Sequence, residues 1–328
     1  MSKTTRQLFS SVQAALAGGG LFLLLGAMSC QSGGAAAGVD GPPPPGVTPP
    51  PAATPPVFNA TRAFADLEAQ VAFGPRVPNT EGHVKTRDWL LAELKKTTDR
   101  ALLQNFTRTF SGKKLAMSNI VGVINPEAKR QILLCAHWDT RPTADQEIEP
   151  ARRARPIAGA NDGASGVAVL LELARMFQAK RPPGVGVQFV LFDGEDYGPG
   201  LERMFLGARY YASKPALPKP DYAVLLDMVG DKDLQIYREQ NSESFAPEIN
   251  DKIWKAAEEL KITAFQYGVR HTISDDHIPL QEVGWKAIDL IDFDYAPWHT
   301  LDDTPDKCSP ASLKAVGDVV ARVVYSEK

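Results

Sequence analysis

The chain has 328 residues, 44% of them hydrophobic and 23% charged, with a net charge of −3. Those figures fit an ordinary globular protein of one large domain or two small ones. With 36 basic residues against 39 acidic ones and no long Lys/Arg run, nothing is fitted to neutralise phosphate, which argues against a nucleic-acid binder.

The N-terminal region differs in kind from the rest. Lys3 and Arg6 precede an apolar stretch from Val12 to Gly26, centred on Leu21, Phe22, Leu23, Leu24 and Leu25. A charged n-region before a short apolar segment is the pattern of a signal peptide, and this one is too short and Gly-broken for a membrane span. It ends in Ala27-Met28-Ser29-Cys30, which resembles the lipobox of bacterial lipoproteins, although Ala27 stands where that pattern prefers Leu. The expectation is a lipoprotein-type signal over 1–30 with a lipid anchor at Cys30; the alternative is a secretory signal with Cys30 incidental. Either reading sends the chain to the cell envelope, facing the periplasm or exterior, or into secretion. Residues 31–56 open with Ser, Gly and Ala and continue with Pro42–Pro45, Pro49–Pro51 and Pro55-Pro56. Such a segment cannot bury apolar surface and is expected to be a disordered, locally polyproline tether. Residues 57–328 remain as the catalytic domain, enough for one substantial core.

Within that domain, helical spacing covers Ala60–Phe73 and Glu81–Lys96, where Val84, Trp89, Leu90 and Leu94 form one face behind an Asn79-Thr80 cap. Strand-like runs follow at Leu102–Phe110 and Asn119–Ile124. Ile132–Ala136 is wholly apolar, as a strand covered on both faces requires. Val167–Phe177 has helical spacing, and Val187–Phe192, Ala223–Leu226 and Ala287–Ile291 are further strands, the last interrupted by Asp289. A helix near Pro310–Tyr325 closes the chain. This alternation predicts an α/β three-layer sandwich, its central, mostly parallel (mixed) sheet flanked by helices. Cys135 and Cys308 could pair in an oxidising compartment or stay buried thiols; sequence leaves both open.

In such sheets ligands collect beyond the carboxyl ends of the strands. There the sequence places His137-Trp138-Asp139, Asp193-Gly194-Glu195-Asp196, Asp227 and Trp298-His299, while Asn161-Asp162-Gly163 precedes a helix. One strand-end carboxylate is usually a cap or a solvated turn. Four strand ends carrying Asp, Glu or His suit a zinc or dizinc site, since zinc takes nitrogen and oxygen ligands and leaves a position open for catalysis. Blander roles stand beside this one. His137 is read either as a core histidine satisfied by Asp139 or as a ligand. His83 and His271 are expected at the surface, Trp138 in packing, and Asp193 and Asp276 as backbone caps. His277 is expected to start a helix and support Asp275. Asp302-Asp303 suit a turn or support for His299.

The motifs Cys135-Ala136-His137-Trp138-Asp139-Thr140, Gly159–Gly166, Phe192–Asp196 and Leu226–Gly230 resemble those of the M28 family of zinc-dependent aminopeptidases. Within that superfamily the chain is more similar to the glutaminyl cyclases. The doubled Asp of Ser274-Asp275-Asp276-His277, the Trp of Pro297-Trp298-His299-Thr300 and the stretch Tyr197–Leu206 select that branch. The resemblance implies a zinc-exopeptidase-like fold and one zinc held by Asp162, Asp196 and His299. It implies Glu195 as the proton-transfer group, with Asp227 and Asp275 around it raising its proton affinity, and Trp298 as a pocket wall. The implied substrates are peptide or protein N-termini bearing Gln, and a monomer is expected. A dizinc aminopeptidase is the alternative, with His137 and Asp227 holding a second zinc and Asp162 bridging. A non-catalytic binding protein that kept the fold is a third reading, disfavoured by the intact Glu195 and ligand set. Three departures from the pattern bear on substrate preference. Asp196 stands where most relatives have Glu, Ser274 replaces a Gln, and Tyr197–Leu206 lacks a Trp, leaving Tyr197, Leu201, Met204 or Phe205 to build that wall.

Overall fold

A computed structural model describes residues 56–327. The expected signal sequence, Cys30 and the tether up to Pro55 lie outside the described residues. In chain order the elements are α1 (Ala60–Ala72), α2 (Glu81–Thr97), β1 (Arg100–Phe110), β2 (Lys113–Ile124), β3 (Arg130–His137), α3 (Pro150–Arg153) and α4 (Ser165–Ala179). They continue with β4 (Val185–Phe192), α5 (Leu206–Ser213), β5 (Tyr222–Asp227), β6 (Ile236–Arg238), α6 (Gln240–Phe245) and α7 (Pro247–Leu260). The last are β7 (Phe265–Val269), α8 (His277–Glu282), β8 (Ala287–Ile291) and α9 (Pro310–Ser326).

Six strands form one mixed sheet in the order β1-β2-β4-β3-β5-β8, and β6 and β7 pair separately. From β4 to β8 the neighbours are parallel; β1 and β2 are an antiparallel hairpin on one edge. The unbroken apolar run of β3 is explained by its place between β4 and β5. Ile132, Leu134 and Ala136 join the large core packed by α1, α2, α4, α7 and α9. Leu133 and Cys135 face the other way, toward Ala208 and Tyr211 of α5 and Leu280 of α8. Period-two alternation thus fills two cores with one strand. Cys135 and Cys308 belong to these two different cores and are both free thiols, which answers the question of their pairing.

Local chemistry fixes several element ends. Asn59 caps α1 by accepting from Arg62 N at 3.0 Å, Thr80 caps α2 through His83 N at 3.3 Å, and Ser309 caps α9 through Ser312 N at 3.1 Å. The buried side of α2 differs from the expected one: it runs through His83, Thr86, Leu90, Leu94 and Thr97, while Val84 is 41% exposed. A buried partner for His83, described below, turns the helix this way.

Two features of the sheet bear on the site. Strand β2 pairs with β4 only over Ile120–Ile124, so its first half runs on past Phe192, the last residue of β4. Gly166, in the first turn of α4, is pressed against β5; a Cβ there would lie 2.1 Å from the Leu226 carbonyl oxygen. That close approach sets Asp162, just ahead of the helix, beside Asp227 at the strand end.

Candidate metal centre

The parallel strands deliver acids and imidazoles to one rim. His137 ends β3, Asp193–Asp196 follow β4, Asp227 ends β5, and His299 lies beyond β8. All of these side chains are buried. They form two donor groups sharing Asp162, in each of which the ligand atoms lie within 4.8 Å of one another: Asp162, Asp196 and His299, and His137, Asp162 and Asp227.

The two groups differ in how their atoms are partnered. His299 Nε2 stands 3.4 Å from Asp196 Oδ1 and 3.6 Å from Asp162 Oδ2. Ligands at about 2.0–2.1 Å on a tetrahedral zinc are themselves roughly 3.3 Å apart, a separation that both groups approach. Asp162 Oδ2 and Asp196 Oδ2 are buried without a hydrogen-bond partner, as atoms awaiting a cation would be. His137 Nε2 is hydrogen-bonded to Asp227 Oδ1 at 3.1 Å and lies 3.2 Å from Asp162 Oδ1.

Buried acids hold the surrounding loops. Asp139 accepts from the backbone N–H of Glu195 at 3.0 Å and of Asp196 at 3.2 Å, presenting that acidic pair side by side. Asp303 accepts from Asn161 N, Asp162 N and the Tyr295 hydroxyl at 2.8, 3.2 and 2.8 Å, so it supports Asp162 rather than His299. The buried Arg76 guanidinium donates to the Trp138, Ala158 and Gly159 carbonyls, tying the loops after β3 and before α4 together. His299 and Met228 both adopt left-handed backbone, φ +55 and +45, a strained conformation that recurs at functional sites.

Charge crowding shifts the acids. Burial, then Asp275, pushes the Glu195 carboxyl well above its usual range, with Asp196 and Asp276 adding to it. Burial and then Asp227 do the same to Asp275. Burial opposes charge on His137, but Asp227, Asp139 and Asp162 together outweigh that and raise it well above the ordinary imidazole range.

A small pocket opens over the triads, with Met204, Ile273, Ile291, Phe293 and Trp298 as its apolar wall and Glu195, Asp227 and Asp275 on its acidic side. Trp298 stacks on His299 at 3.9 Å and packs against Phe293 at 5.1 Å. Of the four residues expected to replace the missing Trp, Met204 lines the pocket. Tyr197 instead stacks on Phe110 at 6.2 Å, Leu201 is 56% exposed, and Phe205 is buried ahead of α5.

Other expectations are corrected. His83 is not at the surface: its Nε2 is 2.9 Å from both Asp193 oxygens and its ring stacks on the buried Trp138 at 4.4 Å. Asp193 also accepts from Ser118 N at 2.6 Å, so it joins three segments instead of capping one. Asp276 caps nothing; both its oxygens are buried without a partner. His277 begins α8 as expected but lies 3.4 Å from Glu239 Oε2, which takes the place foreseen for Asp275. His271, half-buried, pairs with Asp294 at 3.1 Å. Arg141 and Asp145, which touch Asp196 and His299 from behind, were not foreseen, though Arg141 directly follows the His137–Thr140 motif.

The pattern of Peptidase family M28 matches residues 119–324, more than half of the chain. A glutaminyl cyclase of Tannerella forsythia is 41% identical, with a TM-score of 0.80 over 83% of this chain and 100% of that one. A Zn-dependent exopeptidase of Parabacteroides distasonis is 36% identical, with a TM-score of 0.81 over 84% and 100%. Among curated proteins, the glutaminyl-peptide cyclotransferase of Drosophila melanogaster is 28% identical over 260 residues, 70% of each chain. The chain therefore belongs to peptidase family M28 and, within it, stands with the glutaminyl cyclases.

Proposed function

We propose that the protein is a glutaminyl-peptide cyclotransferase that uses one zinc ion to close the N-terminal Gln of peptides or proteins to pyroglutamate, releasing ammonia. One observation carries this reading over an aminopeptidase. Of the two donor triads, Asp162–Asp196–His299 keeps two buried carboxylate oxygens without a hydrogen-bond partner, whereas the His137 Nε2 of the other is hydrogen-bonded to Asp227. Cyclisation needs a single Lewis acid and no activated water, while a dizinc peptidase uses both positions.

Zinc bound to Asp162, Asp196 and His299 would polarise the γ-carbonyl of the substrate and stabilise the negative charge that builds on its oxygen. Glu195, at the same rim, takes a proton from the α-amine as that nitrogen bonds to the γ-carbonyl carbon. It returns the proton to the side-chain amide nitrogen as the C–N bond breaks, so that nitrogen leaves as ammonia and the carboxylate is regenerated. Asp227 and Asp275 line the acidic side of the pocket, and in this reading they accept hydrogen bonds from the amine and the departing nitrogen. Trp298, Phe293 and Met204 keep water from the reacting carbonyl. Nucleophile and electrophile belong to one residue, so holding that residue bent is most of the remaining work.

Delivery to the envelope through a lipid anchor at Cys30 belongs to the same proposal. No helix among the described residues is long and apolar enough to cross a membrane. Labelling with a radioactive fatty acid, lost in Cys30→Ser, tests the anchor. For the reaction, a peptide with N-terminal Gln is incubated with the zinc-loaded protein and weighed by mass spectrometry. Loss of the mass of ammonia, abolished by Glu195→Gln, is the expected result; loss of the whole first residue would make the protein an aminopeptidase.

A further inference from the structure

Against the Asp162–Asp196–His299 triad lies an ion pair that the proposed reaction does not use. Arg141, 6% exposed, follows β3 by four residues. Its Nη1 donates to Asp196 Oδ1 at 2.5 Å, and its Nε and Nη2 reach Asp145 Oδ2 at 2.8 and 2.7 Å. The other oxygen of Asp145 lies 3.1 Å from His299 Nδ1. The links form a chain Asp196–Arg141–Asp145–His299 that joins two of the three proposed ligands.

Further contacts hold this chain in place. Gln146 N donates to the His299 carbonyl at 3.2 Å, and Glu147 accepts from Leu301 N at 3.0 Å. Gly198 lies against the guanidinium, where a Cβ would come within 2.6 Å of Arg141 Nη1, so the loop after Asp196 closes over it.

We propose that Arg141 and Asp145 are positioning residues that preset Asp196 and His299 for the metal, an assignment that rests on the metal reading of the triad but not on which reaction follows. Asp145 accepts the Nδ1 proton of His299, which fixes the tautomer and leaves the Nε2 lone pair facing Asp162 and Asp196. Arg141 holds Asp196 Oδ1, the oxygen 3.4 Å from His299 Nε2, and leaves Oδ2, which is buried without a partner, unclaimed by protein. It also offsets the repulsion between Asp196 and Asp162 while the metal is away. Asp145 in turn balances Arg141, so the clamp adds little net charge against the incoming cation.

The test uses the purified full-length protein and measures zinc affinity by competition with a chromophoric chelator. Asp145→Asn and Arg141→Met should each weaken zinc about 10–100-fold, the usual cost of removing a partner behind a metal ligand. The double variant should lose less than the product of the two, because both break one chain of contacts. The visible absorption of the cobalt-substituted protein should shift in Asp145→Asn, and Asp145→Glu should recover part of the affinity. Unfolding temperatures of the metal-free variants separate loss of fold from loss of position. If Arg141→Met does not fold, the near-isosteric Asp145→Asn decides alone. Zinc affinities within twofold of the parent in folded variants, with an unchanged cobalt spectrum, overturn the clamp. Absence of zinc binding in the parent, or binding that survives His299→Ala, overturns the metal reading itself and the clamp with it.

Discussion

On one side of Asp162, Arg141 holds Asp196 Oδ1 and Asp145 holds His299 Nδ1, while Asp196 Oδ2 is left without a partner. On the other side, His137 and Asp227 close on each other and on Asp162. The outer nitrogen of His137 makes no hydrogen bond, Asp139 Oδ1 being 3.6 Å away. The two sides share a carboxylate and use the same residue types, Asp and His. What separates them is the loop after β3, which braces one imidazole and passes the other by. A ligand fixed from behind is oriented before the ion arrives, whereas one without such a partner makes hydrogen bonds with its neighbours instead.

The sharpest way to break this comparison is to remove the residue common to both sides. Asp162→Ala should strip the protein of bound zinc, read by elemental analysis, and reduce turnover to background. Glu195→Gln should cost about 10²–10⁴-fold in kcat with zinc content unchanged, since it removes proton transfer and leaves every proposed ligand. His137→Ala tests the asymmetry itself: zinc should stay at about one per chain, and a fall of one zinc relative to the parent would show that both sides hold metal. Trp298→Leu should lower kcat/KM by about tenfold, the loss of an aromatic contact, with zinc again unchanged.

A separate effect, on stability instead of turnover, concerns Glu239, which accepts from Ile273 N at 3.0 Å. Burial pushes the Glu239 carboxyl up, but His277 and the amides of Ile273 and Asn241 outweigh it and hold it down at about 2. A carboxyl depressed in the folded state stabilises it above its unfolded pKa, and the benefit fades as pH falls through the folded value. Glu239→Gln should therefore cost up to about 3 kcal/mol at pH 7, with the gap from the parent narrowing below about pH 4.5 in urea unfolding.

Much of this was legible in the sequence where one short segment carries its own signal. The cores of β3 and β5 are continuous apolar runs, those of β4 and β8 are broken only by Gln188 and Asp289, and polar residues follow at their ends. Where the signal is spread out, reading fails. The first half of β2, Lys113–Ser118, begins with two lysines and pairs only with β1, so it lacks the apolar run of a central strand. Helix α7 was not foreseen, although Ile249, Ile253, Trp254 and Ala257 give it a buried stripe behind Pro247. His83 has no motif around it because its partner, Asp193, lies 110 residues away. The same holds for Asp145 and His299, separated by 154 residues and joined only when two loops meet. Ligand types are local properties; what stands behind a ligand is a property of the fold.

Gly166 carries no functional group and touches no donor atom, yet there is no clearance between it and the end of β5. A methyl group at that position has to displace either the start of α4, and with it Asp162, or the strand end that bears Asp227. In a screen of variants it would score as a residue of the chemistry, indistinguishable by phenotype from the acids it keeps in register. Mutational intolerance at this end of the molecule thus marks the joints between elements as well as the groups that react.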